Sequence, residues 1–460
     1  MAAKRPPLQE QLDLFDPGRG EAPRPDGQKV ETAMARMESE SPAWADRLME
    51  AICEEGNVET AARAVMRNKG AAGVDGMTID RLPVFLEERW PAIARALVED
   101  RYRPQPVRRV TIPKPDGGER TLGIPTVVDR MIQQAILQRL QPAWDATFSA
   151  SSFGFRPGRS AHQAVAAAQA HVAAGRQHVV DIDLAKFFDK VNHDRLMARI
   201  AERVTDKRVL RLIRGFLTAG ALDDGLFAQT QEGTPQGGPL SPLLSNLVLD
   251  ELDRELERRG LAFVRYADDC NIYVGSKKAG ERVMASVTRF IERRLKLKVN
   301  EAKSAVDQPW RRTFLGFTLR EGEGFPRAIA DKAVKRFKRR ARALTRRNRG
   351  ANLKRMIADL NPFLRGWAGY FGFSESGELK DLDGWIRRRL RCAQWKHWKT
   401  FRKRLNELQR RGVSERSAYN VAKSSKGPWR LSISSALHRA MGNPTFRLLG
   451  LVFMADHVHA

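Results

Sequence analysis

The run Ala262–Gly275, AFVRYADDCNIYVG, decides how this chain is read. Val264, Tyr266, Ile272, Tyr273 and Val274 are β-branched or aromatic, the composition of strands. Asp268 and Asp269 sit between them, where a tight hairpin turn falls. Such a turn pushes two carboxylates out of one end of a sheet. Adjacent like charges need a compensating cation, and hard divalent ions, Mg²⁺ above all, prefer oxygen ligands. Two carboxylates are too few for a two-metal site, so a third is expected elsewhere.

The segment His178–Leu184, HVVDIDL, supplies it. Alternation puts Asp181 and Asp183 on one strand face, with Ile182 and Leu184 on the other. Strand aspartates are costly to bury without a cation, and one nearby lysine, Lys186, is too little to explain both. If this strand neighbours the hairpin in one antiparallel sheet, Asp183 joins Asp268 and Asp269 in a two-metal site. One ion then activates a 3′-hydroxyl and the other holds leaving phosphates. Phe188, five residues after Asp183, falls under the sugar, where its bulk excludes a 2′-hydroxyl and selects deoxynucleotides. The chemistry implied is nucleotidyl transfer on a nucleic-acid primer.

Charge names the partner. The formal net charge is +27, with 81 Lys+Arg against 54 Asp+Glu, which calls for a polyanion. Residues 331–460 hold 31 basic and 9 acidic residues, a surplus of +22, leaving +5 for residues 1–330. The first part is expected to be a catalytic body and the second a binding region. The 3 cysteines, Cys53, Cys270 and Cys392, form no close pair, which argues against disulfides and zinc and fits a reducing cytosol. The apolar run 448–455 is far short of the ~18 residues of a membrane span, so nucleic acid is preferred over a membrane.

Several other segments suit such a partner. Residues 1–40 have a disordered composition, apart from the amphipathic LQEQLDLF at 8–15. Helical spacing predicts two helices over 43–66. The loop NKGAAGVDG, 68–76, is either a connector or a phosphate-approaching backbone. Strands are expected at 107–112 and 121–124 around a turn at 115–118, with Lys114 and Arg120 flanking it. Both could neutralise a triphosphate, although unpaired surface cations are common. In FGFRPGRSAHQAV, 153–165, Ser160 is placed as a helix N-cap, with Arg156 and Arg159 at that helix start in a phosphate environment. The run GTPQGGPLSPLLS, 233–245, opens a helix that extends to about 259, with Gln236 facing a flat substrate. FLGFTLR, 314–320, is expected to be a hairpin strand. Among the tryptophans, Trp367 and Trp385 have core spacing. Trp395 and Trp398 interleave with Lys396 and Lys399, a nucleic-acid-surface mixture.

Taken in order, these motifs resemble those of bacterial group II intron reverse transcriptase/maturases over about residues 43–430. YADD (266–269) resembles the YxDD box, DLAKFFD (183–189) the first palm motif and GTPQGGPLSP (233–242) the second. VNEAKS (299–304) and FLGF follow in family order. IPKPDGGERTLGIP (112–125) and FGFRPGRS resemble the fingers motifs, and NPFLRGWAGYF (361–371) the thumb or maturase segment. The resemblance implies an α+β right-hand polymerase with fingers, an antiparallel-sheet palm, an α-helical thumb/maturase domain and a basic helical C-terminal segment. The corresponding divisions are 1–40 extension, 41–177 fingers, 178–325 palm, 326–410 thumb and 411–460 basic segment.

The resemblance further implies two Mg²⁺ ions, replaceable by Mn²⁺, held by Asp183, Asp268, Asp269 and the Leu184 carbonyl. Asp181 matches no metal position and is placed behind them. Lys114 and Arg120 would contact the triphosphate, Phe188 the sugar, Gln236 the nucleotide pocket, and Arg108 template or nucleotide. Expected partners are the intron RNA, the DNA target and primer, and deoxynucleoside triphosphates; no oligomeric state follows. The implied setting is the bacterial cytoplasm, at the nucleoid when on DNA. Many relatives end in a cysteine-paired endonuclease domain. No cysteine follows Cys392, so insertion from an existing 3′ end is expected. Two other roles share these motifs: a host-adopted reverse transcriptase in defence or repair, and an RNA-binding splicing factor without polymerase activity.

Overall fold

The computed structural model describes residues 47–113, 119–223, 226–228, 232–234, 237–375 and 377–457. The 8–15 segment, Lys114, Gln236 and the side chain of Arg120 lie outside them. The described residues form two compact units, one up to Asp307 and one from Gln308 onward.

The first unit carries two four-stranded sheets. One takes β1 (Val107–Pro113), β2 (Glu119–Ile124), β4 (Ala221–Asp223) and β5 (Leu226–Ala228), in the order β2-β1-β4-β5. β1 and β2 pair antiparallel from Arg108↔Ile124 to Pro113↔Glu119. That is the hairpin expected around the 115–118 turn. β4 joins β1 in parallel.

The other sheet takes β3 (His178–Ile182), β6 (Ala262–Tyr266), β7 (Asp269–Val274) and β8 (Ala305–Asp307). Its order is β6-β7-β3-β8 and every pairing is antiparallel. Val180, Ile182 and Ile272 are wholly buried, as expected for inner strands with helices packed on them. Helices Ala161–Ala173 and Lys277–Phe290 lie against this sheet. Ser160 caps the first of these with a reciprocal bond pair to Gln163, as its sequence predicts. The sheet shares one hydrophobic core with helices Leu48–Cys53, Glu55–Arg67, Val127–Asp145, Lys207–Thr218 and Ser241–Arg258.

The second unit opens with the hairpin β9 (Phe317–Leu319) and β10 (Arg327–Ile329). Residues 308–325, grouped above with the palm, fall in this unit. β9 pairs with β10 in a two-stranded sheet, and Phe317 packs on Phe371 at 5.1 Å between ring centroids. Helices Asp331–Leu344, Leu353–Phe371 and Glu378–His397 follow. Trp367 is core, as its spacing predicts, 4.8 Å from the Phe337 ring. The last segment folds back onto these helices. Asp383 accepts bonds from the Met454 and Ala455 amides, and Asn361 bonds both Gly450 and Val452. No helix among the described residues is long and apolar enough to cross a membrane.

Candidate active site

The site is built on the β6–β7 turn. Tyr266 pairs with Asp269, so Ala267 and Asp268 form a two-residue loop. Ala267 has φ +56°, the left-handed conformation that such loops demand and that glycine adopts most cheaply. β3 runs beside β7 and its register ends at Ile182↔Cys270. One further step sets Asp183 beside Asp269. The structure therefore brings together the three carboxylates expected to converge. Asp181 stands further back, opposite Asn271.

The electrostatics follow from that crowding. Desolvation, then the charges of Asp268, Asp181 and Asp183, push the Asp269 carboxyl up to about 7, with Lys303 opposing them. Asp269 still keeps an exposed edge. The crowding of negative charge is thus the part that a cation would relieve.

Three polar residues that motif reading left without a role hold Asp183. The Asn300 amide donates to Asp183 Oδ1 at 3.1 Å, and Lys303 Nζ lies 3.4 Å from Oδ2. The Asp183 backbone N–H donates to Ser304 Oγ at 3.0 Å. Leu184, buried, bridges to Val299 in the same segment. The available signal was VNEAKS itself, a polar run directly before β8.

A second missed residue fixes the turn from behind. Arg265 is completely buried, and its guanidinium forks onto Asp253 with bonds of 2.7 and 2.6 Å. The same group donates to Asn246 Oδ1 (3.0 Å), Ser152 Oγ (2.7 Å) and the Ala267 carbonyl (2.9 Å). Asn246 in turn donates to the Gly154 carbonyl at 2.9 Å. A Cβ on Gly154 would stand 2.2 Å from the Ala267 nitrogen, so only glycine allows this approach.

Arg156 belongs to this scaffold and not to a nucleic-acid surface, which corrects the expectation from its position. It is buried, donates to Asp145 Oδ1 at 2.8 Å and to the Ser149, Ser152 and Asp145 carbonyls, and leaves no fork for phosphate. Arg159 is partly exposed, donating to the Ala150 carbonyl at 3.1 Å beside the Phe153 ring. Gly70 and Gly73 serve packing: an added Cβ would meet Arg130 Nη1 at 2.2 Å and the Thr126 backbone at 2.6 Å.

Of the residues expected at the nucleotide, Phe188 is half-buried, edge-on to Phe187 at 5.3 Å. Its carbonyl accepts from the Thr234 amide, which ties the second palm motif to it. Gly237 and Gly238 abut the Gly123 carbonyl of β2 and the Gln133 side chain. Arg108 Nε is buried without a hydrogen-bond partner, a donor that an incoming ligand can satisfy.

In the second unit three of the tryptophans depart from expectation. Trp395 and Trp398 are 1% and 2% exposed and pack edge to face at 6.0 Å, so neither can stack on a base. Trp385, given core spacing above, is half-buried with Arg342 and Arg389 over its ring. Lys396 and Lys399 are exposed, Lys396 bonding Asn348 at 2.8 Å.

Among the described residues, no three His, Cys, Asp or Glu side chains close into a metal cluster. Polymerase-type Mg²⁺ sites need few protein ligands, since water and substrate phosphates supply the rest. A crowded carboxylate set with one raised to about 7 suits a cation held in that way.

Residues 112–319 match the family model "Reverse transcriptase (RNA-dependent DNA polymerase)", and residues 334–412 match "Group II intron, maturase-specific domain". Protein YkfC of Escherichia coli K12 is 34% identical over 301 residues, covering 56% of this chain and 79% of that protein. This chain belongs to the group II intron reverse transcriptase/maturase family. The group II intron-encoded protein LtrA of Lactococcus lactis is 32% identical over 321 residues, 55% of this chain. The match spans about half, 53%, of LtrA's length. A solved Cas6-RT-Cas1--Cas2 complex is more distant, at 23% identity and TM-score 0.35 over 53% of this chain and 42% of that one. As a reverse transcriptase, the chain is an RNA-directed DNA polymerase with a maturase domain that implies intron RNA as partner.

Proposed function

We propose that this reverse transcriptase copies its group II intron RNA into DNA by two-metal nucleotidyl transfer, assists splicing of that RNA, and serves retrohoming. The observation that carries the reading is the meeting of Asp183 with the Asp268–Asp269 turn at one end of the β6-β7-β3-β8 sheet. Those three carboxylates, with the Leu184 carbonyl, would hold two Mg²⁺ ions, or Mn²⁺ in their place. Bound there, the metal supplies activation of a primer 3′-hydroxyl and neutralises the departing diphosphate.

The chain's own residues do the rest. Asn300 and Lys303 orient Asp183, and Arg265 holds the turn at the height of its neighbours. Phe188 limits the sugar to deoxyribose. Lys114 and Arg120 take the triphosphate, Gln236 the nucleotide, and Arg108 the template or nucleotide. Lys396, Lys399 and Arg159 contribute positive surface toward RNA. Intron RNA, DNA target, primer and deoxynucleoside triphosphates are the partners, met in the cytoplasm and on the nucleoid.

Primer extension on an RNA template with Mg²⁺ tests this. Wild-type chain should extend, and Asp268→Asn should lose extension while retaining intron RNA. Wild-type protein that binds the RNA but extends nothing would instead fit a splicing factor without polymerase activity.

A further inference from the structure

The second unit contains a cavity of about 330 Å³, at the small end of the range for small-ligand sites. Its walls include Arg342 from helix Asp331–Leu344, Arg347 from the turn after it, and Arg389 and Trp385 from helix Glu378–His397. Trp429, beyond those helices, completes the wall. We propose that this cavity seats one unstacked nucleotide of single-stranded RNA, its base on Trp429 and its phosphates on Arg342, Arg347 and Arg389. The proposal rests on the RNA-binding reading above and names a site within it.

The first argument is uncompensated charge. No carboxylate lines the cavity, and none of the three arginines has a carboxylate ion pair among the described residues. Nearby Arg349 shows the usual alternative, an ion pair with Asp359. Burial, then the positive charges of Arg342 and Arg347, lower the pKa of Arg389. Converging guanidiniums of this kind are relieved by an anion with several oxygens, and the arginine fork matches phosphate.

The second argument is preorganisation. Arg389 Nε donates to Thr345 Oγ1 at 2.6 Å, and its Nη2 lies 3.4 Å from the Arg342 and Thr345 carbonyls. The arginine is tied to the end of the first helix through Thr345 and the Arg342 carbonyl, so little ordering is left for binding to impose. Arg342 and Arg389 both lie over the Trp385 ring, at 5.6 and 5.2 Å. Binding energy is then not consumed in ordering Arg389.

The third argument is the exposed aromatic. Trp429 is 40% exposed, whereas Trp367, Trp395 and Trp398 are buried. The Arg388 guanidinium lies 3.9 Å from its ring centroid and steadies it. Aromatic and guanidinium planes are the surfaces on which unpaired RNA bases stack. A flat hydrophobic ring beside three phosphate-directed cations suits a nucleotide better than an isolated anion.

Binding of the full chain to a labelled, unpaired oligoribonucleotide tests the site, with an abasic oligomer of the same length and a free nucleoside monophosphate as companion probes. Trp429→Ala should weaken binding of the base-bearing oligomer roughly five- to 150-fold, the span of one base–aromatic stack. Trp429→Phe should restore most of it. The Arg342→Ala/Arg347→Ala double variant should flatten the slope of log affinity against log salt by about 1.4, near 0.7 for each lost phosphate contact. Only the wild type and Trp429→Phe should prefer the base-bearing oligomer over the abasic one. Trp429→Ala binding within twofold of wild type would overturn the proposal, as would equal wild-type affinity for the abasic oligomer. Tight binding of the monophosphate without the oligomer would make this a free-nucleotide site and overturn the RNA assignment. Wild-type protein that binds no RNA at all would instead defeat the underlying reading.

Discussion

Arg265 donates through Nη1 to the carbonyl of Ala267, 2.9 Å away and just across the end of its own strand. The β6–β7 turn is therefore anchored by a buried cation whose counter-charge, Asp253, sits on helix Ser241–Arg258. Both side chains have no exposure to solvent. The arrangement locks an alanine into a left-handed conformation that it would otherwise avoid.

Removing one partner of this pair should be severe. Arg265→Met leaves Asp253 buried and unpaired and should cost about 3–5 kcal/mol in chemical denaturation. Arg265→Met with Asp253→Leu should recover most of that stability, since a packed apolar pair often replaces a buried ion pair. It should not recover primer extension, because the bond to the Ala267 carbonyl is still missing. A stable double variant with wild-type extension would show that the pair only supports the fold.

Gly154 tests the same turn by steric means. An alanine Cβ there would lie 2.2 Å from the Ala267 nitrogen, so backbone must move. We expect Gly154→Ala to cost about 1–3 kcal/mol, the usual range for overpacking. Extension should fall by at least about tenfold, as expected when a reacting group is displaced by about 1 Å. Gly275→Ala, which like Gly154 needs no left-handed backbone and has nothing within 4 Å of an added Cβ, provides the comparison without the clash.

The carboxylate crowding predicts a trade between activity and stability. Desolvation and the neighbouring carboxylates push the Asp269 carboxyl up to about 7 in the folded chain, against an ordinary value of about 3.9. Between those values the folded state binds more protons than the unfolded one, so metal-free stability should fall as pH rises toward 7 and stay low above it. Asp269→Asn removes this penalty. At pH 8 without Mg²⁺ its Tm should exceed that of wild type, the difference should vanish below about pH 4, and extension should be lost. A Tm lower than wild type at pH 8 would contradict the crowding argument.

These residues differ in how visible they are before folding. Asp183, Asp268 and Asp269 are legible because local rules carry them: alternation along one strand and a turn too short to hide its side chains. Asn300 and Lys303 are half-legible, since their run can be placed but its approach to Asp183 is set by the register of the sheet. Arg265 is not legible. A strand arginine looks solvent-facing until Ser152, Asn246 and Asp253, distant in sequence, meet around it. The tryptophans fail for a related reason: interleaved lysines mark Lys396 and Lys399 as exposed but say nothing of the opposite face, where Trp395 and Trp398 are buried.

Lys303 lies 3.4 Å from Asp183, where it offsets part of the negative charge that would attract metal. Lys303→Met should remove that competitor. The Mg²⁺ concentration giving half-maximal extension should fall, while metal-free stability also falls because the carboxylates lose their cation. A magnesium titration of extension together with metal-free thermal melts would check both signs.

Phe188 offers the last test, on the choice of sugar. Its ring packs edge-on to Phe187, and its carbonyl is tied to Thr234, so the backbone position should survive a smaller side chain. Phe188→Val removes the bulk proposed to exclude a 2′-hydroxyl. The ratio of kcat/KM for ribonucleotides to that for deoxynucleotides should rise by about tenfold or more, equivalent to ~1.4 kcal/mol. Deoxynucleotide incorporation should change much less. A parallel loss with both substrates would mean that Phe188 only packs the core. A selective gain with ribonucleotides requires the ring to stand where the sugar lies.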